Sequence, residues 1–439
     1  MEVKQFVGGI HVPHHKSFSE HKAIKEASVP AEIIIPLVQH TGVPNQPLVN
    51  VGDRVKAGQL IGATDKFVSA PVHASLSGTV TAVERRLCFT GEMVQSVVIS
   101  VDRDQDKLEL ADVDLDKVTR EEAIKAVREA GVVGMGGAAF PTAVKLSPPP
   151  DKKIDALLIN GCECEPFLTC DHRIMVEQPE KLLRGVRLLM DILGVKHAYV
   201  CVEDNKPDAI EALRQKNKDP QIVLVKLPTK YPQGSEKHLV KAVLDREIPS
   251  GGLPFDVGTL IQNVGTCVAV YEAVKHRRPL IDRVVTVTGQ NVRDPQNLLV
   301  KIGTPLSHLI AECGGIMQQP AKVVVGGPMT GKAQQTLEAP VVKGTTGVVV
   351  LPPDLALEDM DYRACVSCCR CVEHCPVMIY PNQISIYCEA GLVREAAYWN
   401  TMDCIECGIC AYVCPSKRPI VQWVQLTKPL IRQLESERK

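Results

Sequence analysis

The sequence lacks three features that are each typical of one class of protein: a surplus of one charge, a long apolar run and an apolar signal segment at its start. It has no surplus of charge, since 50 Lys and Arg against 51 Asp and Glu leave a formal net charge of −1. That balance argues against nucleic-acid binding, which normally needs a basic surface. No run approaches the roughly 18 uninterrupted apolar residues of a membrane span. The first residues contain no apolar signal core, so we expect a non-exported protein that has no span but could sit on a membrane partner.

Cysteine, in contrast, is abundant and unevenly placed. The chain has 439 residues, enough for about two to four domains of roughly 100–200 residues each. It has 17 cysteines, and ten of them lie between Cys365 and Cys414. A chain of this size in a reducing compartment does not need disulfides for stability. The clustered cysteines therefore indicate metal or redox chemistry.

Eight of these cysteines form an internal repeat. The spacing C-x2-C-x2-C-x3-C-P occurs twice, and each cysteine of the second copy follows its counterpart by 39 residues. In two-cluster ferredoxins with this spacing the fourth cysteine of each copy ligates the opposite cluster. We therefore predict two [4Fe–4S] clusters. The first set of ligands is Cys365, Cys368, Cys371 and Cys414, and the second set is Cys404, Cys407, Cys410 and Cys375.

Zinc is the alternative occupant, because it also accepts four thiolates. Two complete copies with both prolines are far more specific than a pair of C-x2-C motifs, so the pattern favours iron–sulfur. Cys369 is predicted to be a non-ligand beside Cys368, with a shift of ligation onto it as the alternative. Clusters of this kind carry one electron each, so this end of the chain is predicted to conduct electrons.

A glycine-rich loop is the second strong feature. The segment 131–146 has four glycines in its first seven residues. Without side chains, backbone N–H groups can approach a phosphate closely, and Lys145 could add a positive charge. Glycine-rich loops are common, so a purely structural turn is the alternative.

Helical and strand patterns alternate around this loop. Thr119 and Glu122 predict a capping box that begins a helix, which ends at Gly131. Strands are predicted at 154–159, 197–202 and 221–227, with helices at 180–193 and 208–216 between them. This order predicts a parallel sheet whose strand ends hold ligands. Asn160 and Glu163 directly follow the first of these strands, while residues 100–118 are predicted to be a solvated linker.

The resemblance of the loop to a known family adds a function. It resembles the FMN loop of the NADH-oxidising flavoprotein subunit of respiratory complex I, and similar motifs follow in order at residues 160–166, 231–236 and 262–266. The resemblance implies an FMN site and two contacts to NADH. The implied FMN residues are Gly134, Gly136, Gly137, Lys145, Asn160, Glu163, Asn263 and Thr266, and the implied NADH residues are Phe140 and Glu236. Met135, Ala139, Cys162 and Ser235 depart from that family's pattern.

The remaining segments complete a multidomain α/β and α+β fold. Residues 1–105 resemble a barrel-sandwich hybrid domain of the biotinyl/lipoyl type, in which Lys66 is predicted to be structural rather than a carrier lysine. Residues 119–280 would be the complex I-like FMN/NADH domain, 281–350 an SLBB β-grasp domain and 358–439 the two-cluster ferredoxin domain. This order over nearly the whole chain resembles the C subunit of the Rnf electron-transport complex.

That resemblance implies a function and its partners. It implies a peripheral subunit of an ion-translocating ferredoxin:NAD+ oxidoreductase on the cytoplasmic face of the cell membrane. Electrons would be exchanged between NAD(H), a non-covalent FMN and the two clusters. The partners would be the membrane-embedded Rnf subunits and a ferredoxin-like B subunit. The alternatives are an iron–sulfur adaptor that has lost its flavin, and an enzyme acting on another small molecule through the SLBB or barrel domain.

Three further groups have less specific patterns. The histidines near the start fit no defined metal site, so we predict a structural or docking loop there. The three cysteines of residues 162–170 are predicted to be free thiols near a pocket rather than a metal site. The tail 419–434 is predicted to pack on its own domain rather than insert into a membrane. The histidines are His11, His14, His15 and His21, and the cysteines are Cys162, Cys164 and Cys170.

Overall fold

The structure is a computed structural model that describes residues 3–106, 108–319, 322–356 and 362–437. The predicted start of the ferredoxin domain, at 358, and its last two residues lie outside the described residues. The boundaries of the four domains stay predictions, whereas the fold class of mixed sheets and helices is confirmed. In the part of the chain that is described, no helix combines the length and apolarity that a bilayer crossing requires.

Residues 32–101 form two small antiparallel sheets around one apolar core. The sheets have strand orders β2-β8-β7-β4 and β3-β5-β6. The β-branched run Ile33–Ile35 is buried in β2, as expected for a strand that fills a sandwich core. The strands up to residue 101 are β1 (Ile24–Glu26), β2 (Glu32–Pro36), β3 (Gln46–Pro47), β4 (Arg54–Val55), β5 (Leu60–Ala63), β6 (Val72–His73), β7 (Gly78–Leu87) and β8 (Met93–Val101).

A four-stranded parallel sheet forms the next layer, with helices packed against it. Its strand order is β11-β10-β9-β12, so the chain runs to one side from β9 and returns to the other side at β12. Ligand crevices lie at such switch points. The elements are α1 (Arg120–Glu129), α2 (Thr142–Lys145), β9 (Ala156–Gly161), α3 (Cys170–Glu177), α4 (Pro179–Leu193), β10 (Ala198–Glu203), α5 (Pro207–Lys216), β11 (Ile222–Leu227), α6 (Glu236–Leu244), β12 (Thr259–Asn263) and α7 (Val264–His276).

These elements follow the predictions from the sequence with small shifts. The capping box of Thr119 and Glu122 is present, and α4 ends at Gly194, whose φ is 68°. The first predicted strand lies two residues later than expected. The linker prediction is wrong in part: Val101 is still in β8, and the N–H groups of Ala111 and Val113 donate to carbonyls at the end of α7. Backbone hydrogen bonds therefore hold this charged segment against the domain.

A six-stranded mixed sheet contains the predicted β-grasp strands. Its order is β1-β14-β13-β17-β15-β16, so a strand from the start of the chain closes one edge through parallel pairing with β14. No local pattern predicts this long-range pairing. The elements are β13 (Asp282–Thr288), β14 (Gln296–Lys301), α8 (Leu306–Glu312), β15 (Lys322–Val325), β16 (Lys332–Ala333) and β17 (Gly347–Leu351).

Short helices around the cysteine motifs form the last region. The long terminal helix buries Ile420, Val424 and Ile431 and packs on α11 and α12, which confirms that the tail packs on its own domain. The helices are α9 (Pro353–Ala356), α10 (Arg370–Glu373), α11 (Pro381–Glu389), α12 (Val393–Tyr398), α13 (Ile409–Tyr412) and α14 (Ile420–Ser436).

Candidate functional site

A cleft of about 680 Å³ opens at the carboxyl ends of β9 and β12. This volume is in the range of small-molecule and cofactor sites, which are about 300–1,000 Å³. Residues from the glycine loop, the parallel sheet, the six-stranded sheet and the ferredoxin-like region line its walls. Nine of the ten residues implied for FMN and NADH line this cleft. They are Gly134, Gly136, Gly137, Phe140, Lys145, Asn160, Glu163, Glu236 and Asn263.

The glycine loop forms one wall without side chains. Gly137 has φ 118°, a conformation that L-residues rarely adopt, and a Cβ atom there would meet no atom within 4 Å. A Cβ on Gly134 would have its nearest contacts, both to the backbone of Phe140, at 3.7 Å. The loop therefore leaves open space next to its backbone, as a group that binds against main-chain N–H groups requires.

Lys145 brings a positive charge into the cleft beside this loop. Its Nζ donates to Glu236 Oε1 at 2.9 Å and to the carbonyl oxygen of Ile261 at 3.4 Å. Both charged side chains remain partly exposed, so the pair is accessible to a ligand. One residue implied for the FMN phosphate and one implied for NADH thus lie in direct contact.

The two asparagines lie opposite each other on neighbouring strands. Asn160 and Asn263 are register partners in β9 and β12. Asn160 Nδ2 donates to Gly234 O at 2.8 Å, and Asn263 Oδ1 caps α7 by accepting from the N–H of Gly265 at 2.8 Å. Thr266 lies outside the cleft lining. It is fully buried, and its hydroxyl accepts from the N–H of Met135 at 2.9 Å, so it supports the loop from behind.

Glu163 lines the cleft but also has a structural role. Its two carboxylate oxygens accept from the N–H groups of Asp171 at 2.7 Å and His172 at 3.2 Å, at the start of α3. Glu163, Cys170 and Asp171 are the only group in the described ranges whose ligand atoms lie close enough for a single ion. The hydrogen bonds on both Glu163 oxygens, and one from Asn263 Nδ2 to Asp171 Oδ2 at 2.6 Å, occupy these acceptors instead.

Asp171 and Gln262 are two cleft residues that the sequence analysis missed. Burial, and then the neighbouring Glu163, raise the pKa of Asp171 to about 7. Gln262 is 2% exposed, and its Nε2 has no hydrogen-bond partner among the described residues, so it could donate to a ligand. Gln262 directly precedes Asn263 at the start of the motif 262–266, and this position in the sequence could have indicated that it lines the cleft.

The departures from the complex I pattern lie mostly outside the cleft. Met135 is buried against apolar neighbours, and Cys162 is buried in the core beneath the sheet. Neither lines the cleft, although Ser235 does. Burial raises the pKa of all three thiols of the 162–170 segment, to about 12 for Cys164. A raised pKa keeps a thiol protonated and weakly reactive. Cys164 and Cys170 line the cleft, and Cys164 is only half-buried.

The segment that contains the early histidines packs against the loop after β9. The buried Lys16 donates from Nζ to three carbonyl oxygens of the loop after β9, those of Glu163, Glu165 and Leu168. The ring of His15 stacks on Phe167 with 4.7 Å between the ring centroids. The described residues show no metal-binding group formed by these histidines, and the segment packs as a structural loop.

The cysteines of the repeat converge on two separate cavities. One is lined by Cys365, Cys368, Cys371 and Cys414, and we call it the first cluster site. The other is lined by Cys375, Cys404, Cys407 and Cys410, and we call it the second cluster site. The fourth cysteine of each copy thus lies with the other copy. Cys369 also lines the first cavity, and its thiol donates to Ser367 O at 3.6 Å.

The donor sets fit iron–sulfur clusters better than zinc. A zinc ion with bonds of about 2.3 Å to four sulfurs would hold those sulfurs roughly 4 Å apart. Among the described residues, neither cysteine quartet has all its sulfur atoms within 4.8 Å of one another. A cluster with one iron per thiolate accommodates this wider spacing.

The second cluster site and the cleft share a wall. Cys407 and Ile405 line the cleft as well as the second cavity. The hydroxyl of Tyr231, a buried residue of the cleft wall, donates to Cys407 O at 2.8 Å. In contrast, Cys368 of the first cluster site is exposed. The cleft therefore adjoins one cluster site, while the other reaches the surface.

Family models match all four regions. The Nuo51 FMN-binding domain matches residues 127–272, and the RnfC barrel sandwich hybrid domain matches residues 4–104. The SLBB domain matches residues 284–333, and the 4Fe-4S binding domain matches residues 397–417. Among solved structures, a chain of an NAD+-reducing [NiFe]-hydrogenase in the H2-reduced state has a similar fold. Its TM-score is 0.51 at 20% identity, over 73% of this chain and 63% of that chain.

Curated relatives align over nearly the full length. The C subunit of the proton-translocating ferredoxin:NAD(+) oxidoreductase complex of Clostridium ljungdahlii is 44% identical, over 97% of this chain and 94% of that protein. The C subunit of the Na(+)-translocating complex of Acetobacterium woodii is 42% identical, over 100% and 99%. The C subunit of an ion-translocating oxidoreductase complex of Rhodobacter capsulatus is 40% identical, over 98% and 84%. The resemblance to Rnf subunits is therefore confirmed, and this chain belongs to the family of C subunits of ion-translocating ferredoxin:NAD(+) oxidoreductase complexes.

Proposed function

We propose that this chain exchanges electrons between NAD(H) and a ferredoxin-type partner as a peripheral subunit of an ion-translocating complex. The observation that carries the proposal is the shared wall at Cys407, because it puts the cleft next to one of the cluster sites. The cleft would hold FMN and the nicotinamide nucleotide, and the two cysteine sets would hold [4Fe–4S] clusters. When bound, FMN supplies the exchange between two-electron and one-electron transfer, and the clusters carry single electrons.

The chain's own residues would bind and orient these groups. The open backbone at Gly134 and Gly137 would leave room for the FMN phosphate and ribityl chain, Gly136 would let the loop lie close to Asn263, and Lys145 would supply a positive charge. Asn160 and Asn263 would present amide groups at the two strand ends. Thr266 would act indirectly by holding the loop through the N–H of Met135.

Two residues at the cleft wall would receive the nucleotide. Phe140 offers an aromatic face next to the glycine loop, and Glu236 lies at the start of α6 with a carboxylate exposed to the cleft. Glu236 also pairs with Lys145, so binding of one ligand would affect the residue that contacts the other. No side chain in this arrangement needs to act as a nucleophile, since the chain positions groups that exchange electrons.

The exposed end of the ferredoxin-like region would deliver electrons to a partner. Cys368 is exposed, and Val366, in the same loop, is 65% exposed. We propose that the partners are the membrane-embedded Rnf subunits and a ferredoxin-like B subunit. We also propose a position on the cytoplasmic face of the cell membrane. The relatives' names support only the membrane, because they describe complexes that translocate ions.

Cofactor analysis of the anaerobically purified full chain tests this proposal. We expect one FMN and two complete [4Fe–4S] clusters per chain, measured as flavin, iron and acid-labile sulfide. Lys145→Ala should lose FMN and keep full iron, because Lys145 lies in the cleft and the cysteine sets do not depend on it. Lys152→Ala is the matched control, since Lys152 pairs with Asp256 and does not line the cleft.

Two results would contradict the proposal in different ways. Full iron without FMN, and no effect of NADH on the cluster spectra, would support the flavin-free adaptor instead. Zinc in the cysteine sets would remove the electron-transfer function altogether.

A further inference from the structure

The two cluster sites have the same ligand spacing but different surroundings. The 39-residue repeat also relates the side chains that line the two cavities. At four related positions the first cavity has a polar side chain where the second has an apolar one. The pairs, first cavity before second, are Ser416 and Val377, Arg418 and Ile379, Asn382 and Val421, and Ser385 and Val424.

Arg418 is the largest of these differences. Its side chain is 4% exposed, Nη2 donates to Glu389 Oε2, and the guanidinium lies 4.6 Å from the centroid of the Trp423 ring. Its buried Nε has no hydrogen-bond partner among the described residues. A fixed positive charge with an unused donor therefore lines the first cavity. Its counterpart Ile379 packs in an apolar cluster.

The other pairs change polarity in the same direction. Asn382 and Ser385 lie on α11, and Val421 and Val424 hold the related positions on α14. The buried Oδ1 of Asn382 has no partner in the described part of the chain. The second site has a backbone donor of its own, since the N–H of Glu406 donates to Cys404 Sγ at 3.4 Å. The side chains that line the two cavities differ in the opposite direction, with the polar ones at the first site.

Polarity and charge around a cluster set its reduction potential. Taking up one electron adds a negative charge, which an apolar, buried cavity disfavours. A nearby cation, polar groups and exposure to water favour that charge. Lys428 is the cation near the second set. Like Arg418 it is paired with a carboxylate, that of Glu406 at 2.7 Å, and it donates to Cys404 O at 2.6 Å, but it does not line the second cavity.

We infer that the first cluster site holds the cluster with the higher reduction potential. We also infer that the positive charge of Arg418 contributes most to the difference in potential between the two clusters. One electron would leave the cluster of the second set and arrive on that of the first set, with no proton moved. The electron would then be held at the first cluster site, which is exposed at Cys368 and lies away from the cleft. The inference rests on the proposed function only in requiring that both clusters are bound.

A potentiometric titration followed by electron paramagnetic resonance tests this inference on the anaerobically purified full chain. We expect two different midpoint potentials. Cys368→Ala should remove the higher one, because Cys368 belongs to the first set. Arg418→Gln should lower the higher midpoint and leave the lower one unchanged, while Arg418→Lys should keep most of the difference by retaining the charge. Arg394→Gln is the matched control, because Arg394 is an exposed arginine of α12 that lines neither cavity, and it should shift neither midpoint.

A second variant covers the case in which Arg418→Gln fails to fold. Asn382→Val combined with Ser385→Val gives the first cavity the side chains of the second, and should also lower the higher midpoint. Equal midpoint potentials in a chain with full iron would overturn the inference, and so would loss of the lower midpoint in Cys368→Ala. It would also be overturned if neither Arg418→Gln nor the Asn382→Val, Ser385→Val double variant shifted the higher midpoint. Incomplete iron in the unaltered chain would instead contradict the proposed function.

Discussion

The cleft and the ferredoxin-like region use their functional side chains in different ways. In the cleft, residues that face the ligand space also hold the fold together: Glu163 caps α3, and Asn263 caps α7. In the ferredoxin-like region, four thiols converge on each cavity. Variants in the cleft should therefore change stability and binding together, whereas variants in the cysteine sets should change metal occupancy and electron transfer while the parallel-sheet domain stays intact.

The largest expected effect is on electron transfer through the second cluster site. Cys407→Ala should abolish NADH-driven reduction of the cluster at the first site, because Cys407 forms the wall between the cleft and the second cavity. Cys368→Ala should leave reduction at the second site by NADH intact. Electron paramagnetic resonance after anaerobic NADH addition measures both.

The control for these variants is a cysteine outside both sets. Cys313 is buried in the core of the six-stranded sheet, and Cys313→Ala should leave iron content and reduction unchanged. Unimpaired reduction of the first cluster in Cys407→Ala would show that electrons do not pass through the second site. The predicted order of electron transfer, from the cleft through the second site to the first, would then be wrong.

A helix cap in the cleft gives the next largest effect. Glu163→Ala removes the acceptor for two N–H groups at the start of α3, which should lower the free energy of unfolding by about 1–2 kcal/mol. It should also weaken FMN binding, because the loop after β9 loses its support. Chemical denaturation and flavin fluorescence titration measure the two effects. Glu163→Gln retains an acceptor and should lose less of both; a change in binding with unchanged stability would contradict the double role.

The pH dependence of stability gives a smaller effect. The pKa of Asp171 is raised to about 7 by burial and by Glu163, so the folded state retains a proton that the unfolded chain loses near pH 4. The free energy of unfolding should therefore fall as pH rises from about 4 to 7, by up to about 1.4 kcal/mol per pH unit. Asp171→Asn should remove this slope and be the more stable protein at neutral pH. Denaturation series at several pH values measure this slope. If Asp171 were ionised in the folded protein, the free energies of unfolding of the two proteins would change with pH in the same way, and the prediction would be wrong.

The smallest expected effect concerns the early histidines. His11→Ala and His21→Ala change exposed side chains of the segment that packs on the loop after β9. Both should leave iron, zinc and flavin content unchanged, as elemental analysis and absorption spectra would show. Loss of a metal from either variant would indicate a metal site that the described residues do not form.

Local patterns predicted much of the fold. The capping box of Thr119, the end of α4 at Gly194 and the alternation of strands and helices all follow from short-range rules. The cysteine repeat predicted which thiols lie together, because its spacing is tied to the shape of one cofactor. Nine of the ten residues implied by the complex I resemblance do line one cleft.

Long-range contacts were beyond local patterns. The pairing of β1 with β14 joins segments more than 250 residues apart, and no local periodicity encodes such a partner. Thr266 matched the family motif, but its hydroxyl faces the backbone of Met135 rather than the cleft. The polar lining of the first cluster site became visible only when Arg418 and its counterpart Ile379 were placed in their cavities.

In the function that we propose, the cleft and the two cluster sites form one route for electrons within a single chain. Anaerobic addition of NADH to the isolated chain with full iron and flavin tests it most directly, with flavin absorbance and cluster resonance recorded together. We expect loss of flavin absorbance and the appearance of a reduced-cluster signal from the first site, without any partner protein. Bleached flavin with both clusters still oxidised, in a chain whose clusters a strong chemical reductant can reduce, would contradict it.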